Sequence, residues 1–216
     1  MKALRLLALV FMLGGACLTA RAGYLHAKAK LAGVLIRRAW VQSLQSGQPH
    51  APWPWADTHP IARMRIPRLG YDEFVLEDAS PRNLAFGPAR LMSGVQVGES
   101  GNLVVAGHRT SWFRPLEGVA SGDSIEIEWF DLGNGKLHKK DYVVNAIRVV
   151  DPQDVTLLAP TPEDELTLIT CYPFGRGPTS PQRFIVRASP VKLAYGRPVT
   201  LRSTVEAVQC FGYCAM

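Results

Sequence analysis

Short apolar runs, each ended by turn residues within a few positions, constrain this chain more than any other feature. From Ile61 onward they read Ile61 to Ile66, Phe74 to Leu76, Leu103 to Ala106, Ser124 to Trp129, Asp141 to Val150, Leu166 to Thr170 and Phe184 to Val186. Ser124-Ile-Glu-Ile-Glu-Trp129 alternates strictly, as a strand with one buried face must. Helical stretches in this region are short, the best lying at Pro81 to Ala85 and Pro152 to Leu158. Many strands without long crossover helices imply an antiparallel barrel or sandwich and disfavour a parallel doubly wound sheet. With 216 residues, 47% apolar and 19% charged, one such domain plus an appendage accounts for the chain. The predicted class is therefore mainly all-β.

The appendage is N-terminal. Met1-Lys-Ala-Leu-Arg precedes an uncharged apolar stretch from Leu6 to Ala20, and Arg21 follows it. That is the pattern of an export signal, shorter than the roughly 20 residues of a full span. Two readings stand: cleavage at Ala20-Arg21-Ala22, or, as favoured here, a retained single-pass anchor that draws in Ala3 and Leu4 while Arg5 snorkels. An anchor would hold the domain outside the cytoplasmic membrane, although Arg21, Lys28, Lys30, Arg37 and Arg38 count against that orientation. Leu25, Ala29, Ala32, Ile36, Trp40 and Leu44 recur at helical spacing, which suits either an amphipathic helix on anionic lipid or a plain surface helix. Four prolines between Gln45 and Pro60 then make a semi-rigid linker, whose Trp53 and Trp55 tack it to the next domain or to the bilayer interface. The expected organisation is 1–44 anchor and amphipathic helix, 45–60 linker, 61–191 β-domain and 192–216 tail.

Charge distribution argues against nucleic acid. The net +6 arises from seven Lys/Arg and one acid in residues 1–60, whereas residues 61–190 carry fourteen basic and sixteen acidic side chains. A phosphate-tracking surface has no basis in that slightly acidic centre. Of the four cysteines, Cys210 and Cys214 form a C-x-x-x-C pair without nearby His for zinc; a local bridge and two idle thiols are both open. No C-x-x-C occurs, so thioredoxin-like redox chemistry is unsupported.

Three side chains could carry chemistry. Cys171 ends the apolar run Leu166-Thr-Leu-Ile-Thr and emerges at a rim. Gly101-Asn-Leu-Val-Val-Ala-Gly107-His108 puts an imidazole directly after a strand and a glycine, whereas His26, His50, His59 and His138 sit in the helix, the linker or a Lys-rich turn. Arg183 starts the strand that follows Cys171 after an eleven-residue loop, and strands so joined normally neighbour each other. Arg109, Arg176 and Arg187 compete for its role. Thiolate, imidazole and guanidinium together suit acyl transfer: attack on a carbonyl, proton delivery to the leaving amine, and a fixed donor for the oxyanion.

Thr167-Leu-Ile-Thr-Cys171 resembles the T-L-x-T-C signature of the sortases, membrane-anchored cysteine transpeptidases of bacteria. Ala106-Gly-His108-Arg-Thr110 resembles their histidine segment and Gln182-Arg183-Phe-Ile-Val their arginine strand, in family order and over about Ile61 to Val191. The resemblance implies an eight-stranded β-barrel, with Cys171 as nucleophile, His108 as acid/base, Arg183 as oxyanion and substrate-orienting group, and Thr170 lining the substrate cleft. It implies cleavage of a C-terminal sorting signal of the L-P-x-T-G kind after its Thr, through a thioester resolved by an amine. Arg109 and Tyr172-Pro173 look more like the class D, class E and proteobacterial members than the housekeeping class. No calcium-binding acidic cluster is matched, and no cofactor is implied. Two alternatives stay open: a cysteine hydrolase with water as acceptor, and a catalytically silent anchored β-domain that displays a peptide-binding groove.

Overall fold

In a computed structural model, which describes residues 2–175 and 181–191, eight strands close into a barrel. They are β1 (Pro60–Ile66), β2 (Tyr71–Leu76), β3 (Ala89–Arg90), β4 (Asn102–Ala106), β5 (Ser124–Asp131), β6 (Lys136–Val150), β7 (Glu165–Tyr172) and β8 (Gln182–Pro190). Around the barrel they run β1-β2-β3-β4-β7-β8-β6-β5. Most pairs are antiparallel, but β4 lies parallel to β7, and β2 meets β3 in parallel through the single pair Leu76↔Ala89. The tail call at 192–216, with Cys210 and Cys214, lies outside the described residues.

Period-2 alternation fills the barrel. Met64, Ile66, Ile125, Ile127, Leu103, Val105, Leu166, Leu168 and Val186 turn inward into one core. The next residue along each strand turns outward, and that outer face carries the chemistry. The expected helices at Pro81 to Ala85 and Pro152 to Leu158 are 3-10 turns at Asn83–Ala85 and Thr156–Leu158. Each spans a single turn between strands, too short for the regular four-residue hydrogen-bond ladder to outweigh the turn geometry.

The segment expected to hold an anchor and an amphipathic helix is continuous. One helix, α1, runs from Lys2 to Ser46. Nothing in Arg21 or the following cations interrupts it, because a charge on a solvent-facing side of a helix costs little. Among the described residues no helix is long and apolar enough to cross a membrane. The stripe at Ala32, Ile36 and Trp40 is buried: Ile36 and Trp40 pack on Phe74, Leu76 and Ala89, with the Trp40 and Phe74 rings 5.7 Å apart. That part of the helix lies on the barrel. Arg37 stacks over Phe74 at 5.6 Å, so a cation of the stripe's flank is also used against the domain. Trp53 of the linker packs edge-on against Phe86 at 4.9 Å, while Trp55 is exposed.

Candidate active site

The site is built by register. In the antiparallel pair β7·β8, Cys171 stands opposite Arg183. Directly opposed residues share a face, so sulfur and guanidinium leave the barrel on the same side. Leu166, Leu168, Phe184, Val186 and Ala188 pack in or against the core, which puts Cys171 and Arg183, one residue out of phase, on the outer face.

His108 comes from the other flank of β7. The parallel ladder pairs Ala106 with Ile169, and the Gly107 amide continues it by donating to the Ile169 carbonyl at 3.2 Å. His108 follows in the loop that leaves β4 here, next to the end of β7 that carries Cys171. Neighbouring strands are about 4.8 Å apart, so Cys171 and Arg183 form a row across β7 and β8, and the loop after β4 brings His108 to the other side of β7. His108 is exposed, and Cys171 and Arg183 are half-buried. A cavity of about 600 Å³ between α1, Trp53 and Phe86 touches none of the three.

Local sequence explains the histidine's position. Gly107 has no side chain, and the Phe113 ring occupies the space: a Cβ there would lie 2.8 Å from the ring. Phe113 is fully buried, and its amide donates to the His108 carbonyl at 3.0 Å, as does that of Ser111 at 3.3 Å. The loop therefore folds back on its own buried aromatic ring. Trp112 fixes its outer side by donating from Nε1 to the Leu84 carbonyl at 3.0 Å.

Thr170 makes a defined contact beside the nucleophile. It is 3% exposed, one residue out of phase with Cys171, and its hydroxyl donates to the Gly107 carbonyl at 2.6 Å. Strand alternation turns it inward, where it ties the histidine loop to β7. Below the row, Thr167 donates to the Asn102 carboxamide oxygen at 2.8 Å, and the Asn102 amide donates to the carbonyls of Leu157 and Ala159, both at 3.2 Å. This buried relay pins the β6–β7 connection over the outer face. Asn102 carried no chemistry in the sequence; an Asn at the first position of an apolar strand was the available signal.

Two further arginines were visible only as competitors for the oxyanion role or not at all. Arg109 is buried and donates from Nη1 to the Pro173 carbonyl at 2.6 Å; Arg114 donates from Nη1 to the Phe174 carbonyl at 2.7 Å. Tyr172, joined to Pro173 by a cis peptide bond, stacks on Phe184, and Phe174 meets the Phe184 ring edge-on at 5.0 Å. The chain beyond the cysteine is thus packed on both sides. Among the described residues no group of three or more His, Cys, Asp or Glu side chains is arranged to hold a metal ion.

A thiol and a guanidinium paired across two strands, with an imidazole in the adjoining loop, are groups that can attack a carbonyl, hold an oxyanion and shuttle a proton. Comparison with known proteins gives the family and the fold. The Sortase domain family model matches residues 64–191. Sortase D of Bacillus subtilis is 27% identical over 138 residues, 63% of this chain and 63% of that protein. Sortase A of Bacillus anthracis is 30% identical over 115 residues, 51% of each. The chain thus spans between half and two-thirds of the curated relatives it matches. Among solved structures, the Sortase D5 transpeptidase of Clostridium perfringens superposes with a TM-score of 0.54 at 26% identity, covering 62% of this chain and 80% of that one. Sortase A of Corynebacterium diphtheriae gives 0.56 at 32% identity, covering 73% and 71%.

Proposed function

This chain belongs to the sortase family, and from that premise we propose that it is a cysteine transpeptidase acting on proteins that end in a sorting signal of the L-P-x-T-G kind. The supporting observation is that Cys171 stands opposite Arg183 across β7 and β8, while the loop that carries His108 leaves β4 on the other side of β7 and is tied to it at Ile169 and Thr170.

In this reading the Cys171 thiolate attacks the carbonyl carbon of the scissile amide. Arg183 holds the oxyanion of the tetrahedral intermediate through a planar, permanently charged donor set. Collapse breaks the C–N bond; the departing nitrogen takes its proton from the His108 imidazolium, and a thioester remains on sulfur. An incoming amine gives a proton back to the imidazole, attacks the thioester carbon and expels the thiolate. One amide is exchanged for another, with no redox change.

The same proposal places the barrel outside the cytoplasmic membrane, held there by the N-terminal part of α1. Its support is the uncharged Leu6 to Ala20 stretch behind Lys2 and Arg5, within which Phe11, Met12, Leu13 and Leu18 are largely exposed.

The test is mass spectrometry of the full chain incubated with a small library of sorting-signal peptides, with and without an added amine. A mass increase on Cys171 equal to the acyl fragment, absent in Cys171→Ala, and diverted into amide product by the amine, is the expected result. A thioester resolved only by water would make the protein a hydrolase. No adduct with any peptide, and alkylation of Cys171 no faster than of free cysteine, would leave a silent binding domain.

A further inference from the structure

The histidine loop is fastened to β7 on both sides of the proposed catalytic pair. Before the pair, Thr170 donates to the Gly107 carbonyl at 2.6 Å. After it, Arg109 donates to the Pro173 carbonyl, also at 2.6 Å. Arg109 is the neighbour of His108, and Pro173 lies two residues past Cys171, so the two bonds together close a ring through Gly107, His108, Arg109, Pro173, Tyr172, Cys171 and Thr170. Arg114 adds a second fastening at the Phe174 carbonyl, 2.7 Å away.

Burial makes the first contact costly to dispense with. Arg109 is 9% exposed, and a guanidinium withdrawn from water needs acceptors at fixed positions. A charged donor to a carbonyl is also among the stronger protein hydrogen bonds. The rest of the loop is rigid, because the amides of Ser111 and Phe113 close on the His108 carbonyl and the Phe113 ring is buried. A rigid loop moves as a unit, so its placement relative to the sulfur is decided at its attachments.

We propose that Arg109 is a positioning residue for the acyl-transfer reaction: its bond to Pro173 fixes the imidazole of His108 beside the sulfur of Cys171, and Arg114 reinforces that placement. The proposal rests on the reading of the site given above. It assigns Arg109 no contact with substrate.

The experiment uses the full chain carrying Arg109→Ala, Arg109→Lys or Arg114→Ala. Sorting-signal peptide turnover gives kcat and KM, and the pH dependence of iodoacetamide alkylation at Cys171 is recorded beside that of His108→Ala. For Arg109→Ala, kcat should fall about ten- to a hundredfold with KM within about threefold, the size expected when reacting groups are displaced by a fraction of an ångström. Its alkylation profile should shift from the parental shape to that of His108→Ala, since a displaced imidazole no longer influences the thiol. Arg109→Lys, which keeps a cation and one donor and guards against failure to fold, should fall between, and Arg114→Ala should do the same. A kcat within threefold of the parent, a loss confined to KM, or an alkylation profile identical to the parent would overturn the proposal. If the parent itself forms no acyl-enzyme, the proposed function fails, while the alkylation arm, which uses no substrate, still decides the role of Arg109.

Discussion

Adding one methyl group at Gly107 should misplace His108. The Cβ of Gly107→Ala would sit 2.8 Å from two atoms of the Phe113 ring and 3.1 Å from a third, where ordinary contact begins at 3.4 Å, so the ring must recede by about 0.6 Å. Phe113 is completely buried and its ring centroid lies 6.3 Å from that of Tyr71, which leaves little room. Overpacking a filled core costs about 1–3 kcal/mol, or roughly 3–10 °C in Tm for a chain of this size. Because the Phe113 amide is bonded to the His108 carbonyl, ring movement carries the histidine with it. A shift of that size should lower kcat by about tenfold to a hundredfold. The assays are thermal unfolding by circular dichroism and single-turnover acylation by a sorting-signal peptide. Adding Phe113→Leu should restore part of the acylation rate lost to Gly107→Ala, because the double variant relieves the overlap; coupling between the two substitutions is the signature. If Gly107→Ala alone retains both Tm and acylation rate, or the two substitutions are simply additive, the packing argument is wrong.

Arg183→Lys preserves the charge but loses the forked donor, and kcat should fall by about 10²–10³, the range for losing one oxyanion donor; near-parental turnover would assign that work elsewhere. Acid stability should depend on Asp123, whose carboxyl is held below its usual value first by the Arg68 guanidinium, which grips both oxygens, and then by the Ala120 amide. A lowered folded-state pKa stabilises above the unfolded value of about 3.9 and is lost as pH falls through the folded value. The Tm of the parent should therefore drop more steeply below about pH 4 than that of Asp123→Asn; parallel curves from pH 6 to pH 2 would remove Asp123 from the explanation.

Much of the barrel was legible because alternation survives in single strands: Ser124 to Trp129 reads inward and outward in sequence as it does in space. What failed to show was whatever depends on contacts between distant segments. Ala89–Arg90 is too short to express any period, and it was missed. The parallel pairing of β4 with β7 was also hidden, since no local pattern distinguishes it from antiparallel pairing. Cys171 could be placed at a strand end from Tyr172-Pro173, and His108 at another from Gly107. The shared face of Cys171 and Arg183 follows only from register. Thr170 illustrates the difference: the motif made it a neighbour of the nucleophile, whereas alternation turns its hydroxyl toward Gly107. The α1 stripe showed an apolar face without saying what covers it, and lipid and protein ask for the same spacing.

That covering has a mechanical meaning. Strands β2 and β3 hold together through one bridge, Leu76 to Ala89, the narrowest joint in the circumference, and those two residues sit in the cluster that Ile36 and Trp40 complete. Removing the helix would strip the lid from that joint and expose its apolar cluster, and an uncovered apolar patch invites association. The N-terminal arm thus serves as a hoop for the barrel as well as a lead into it, and trimming the protein back to its strands is the way to make it stick to itself.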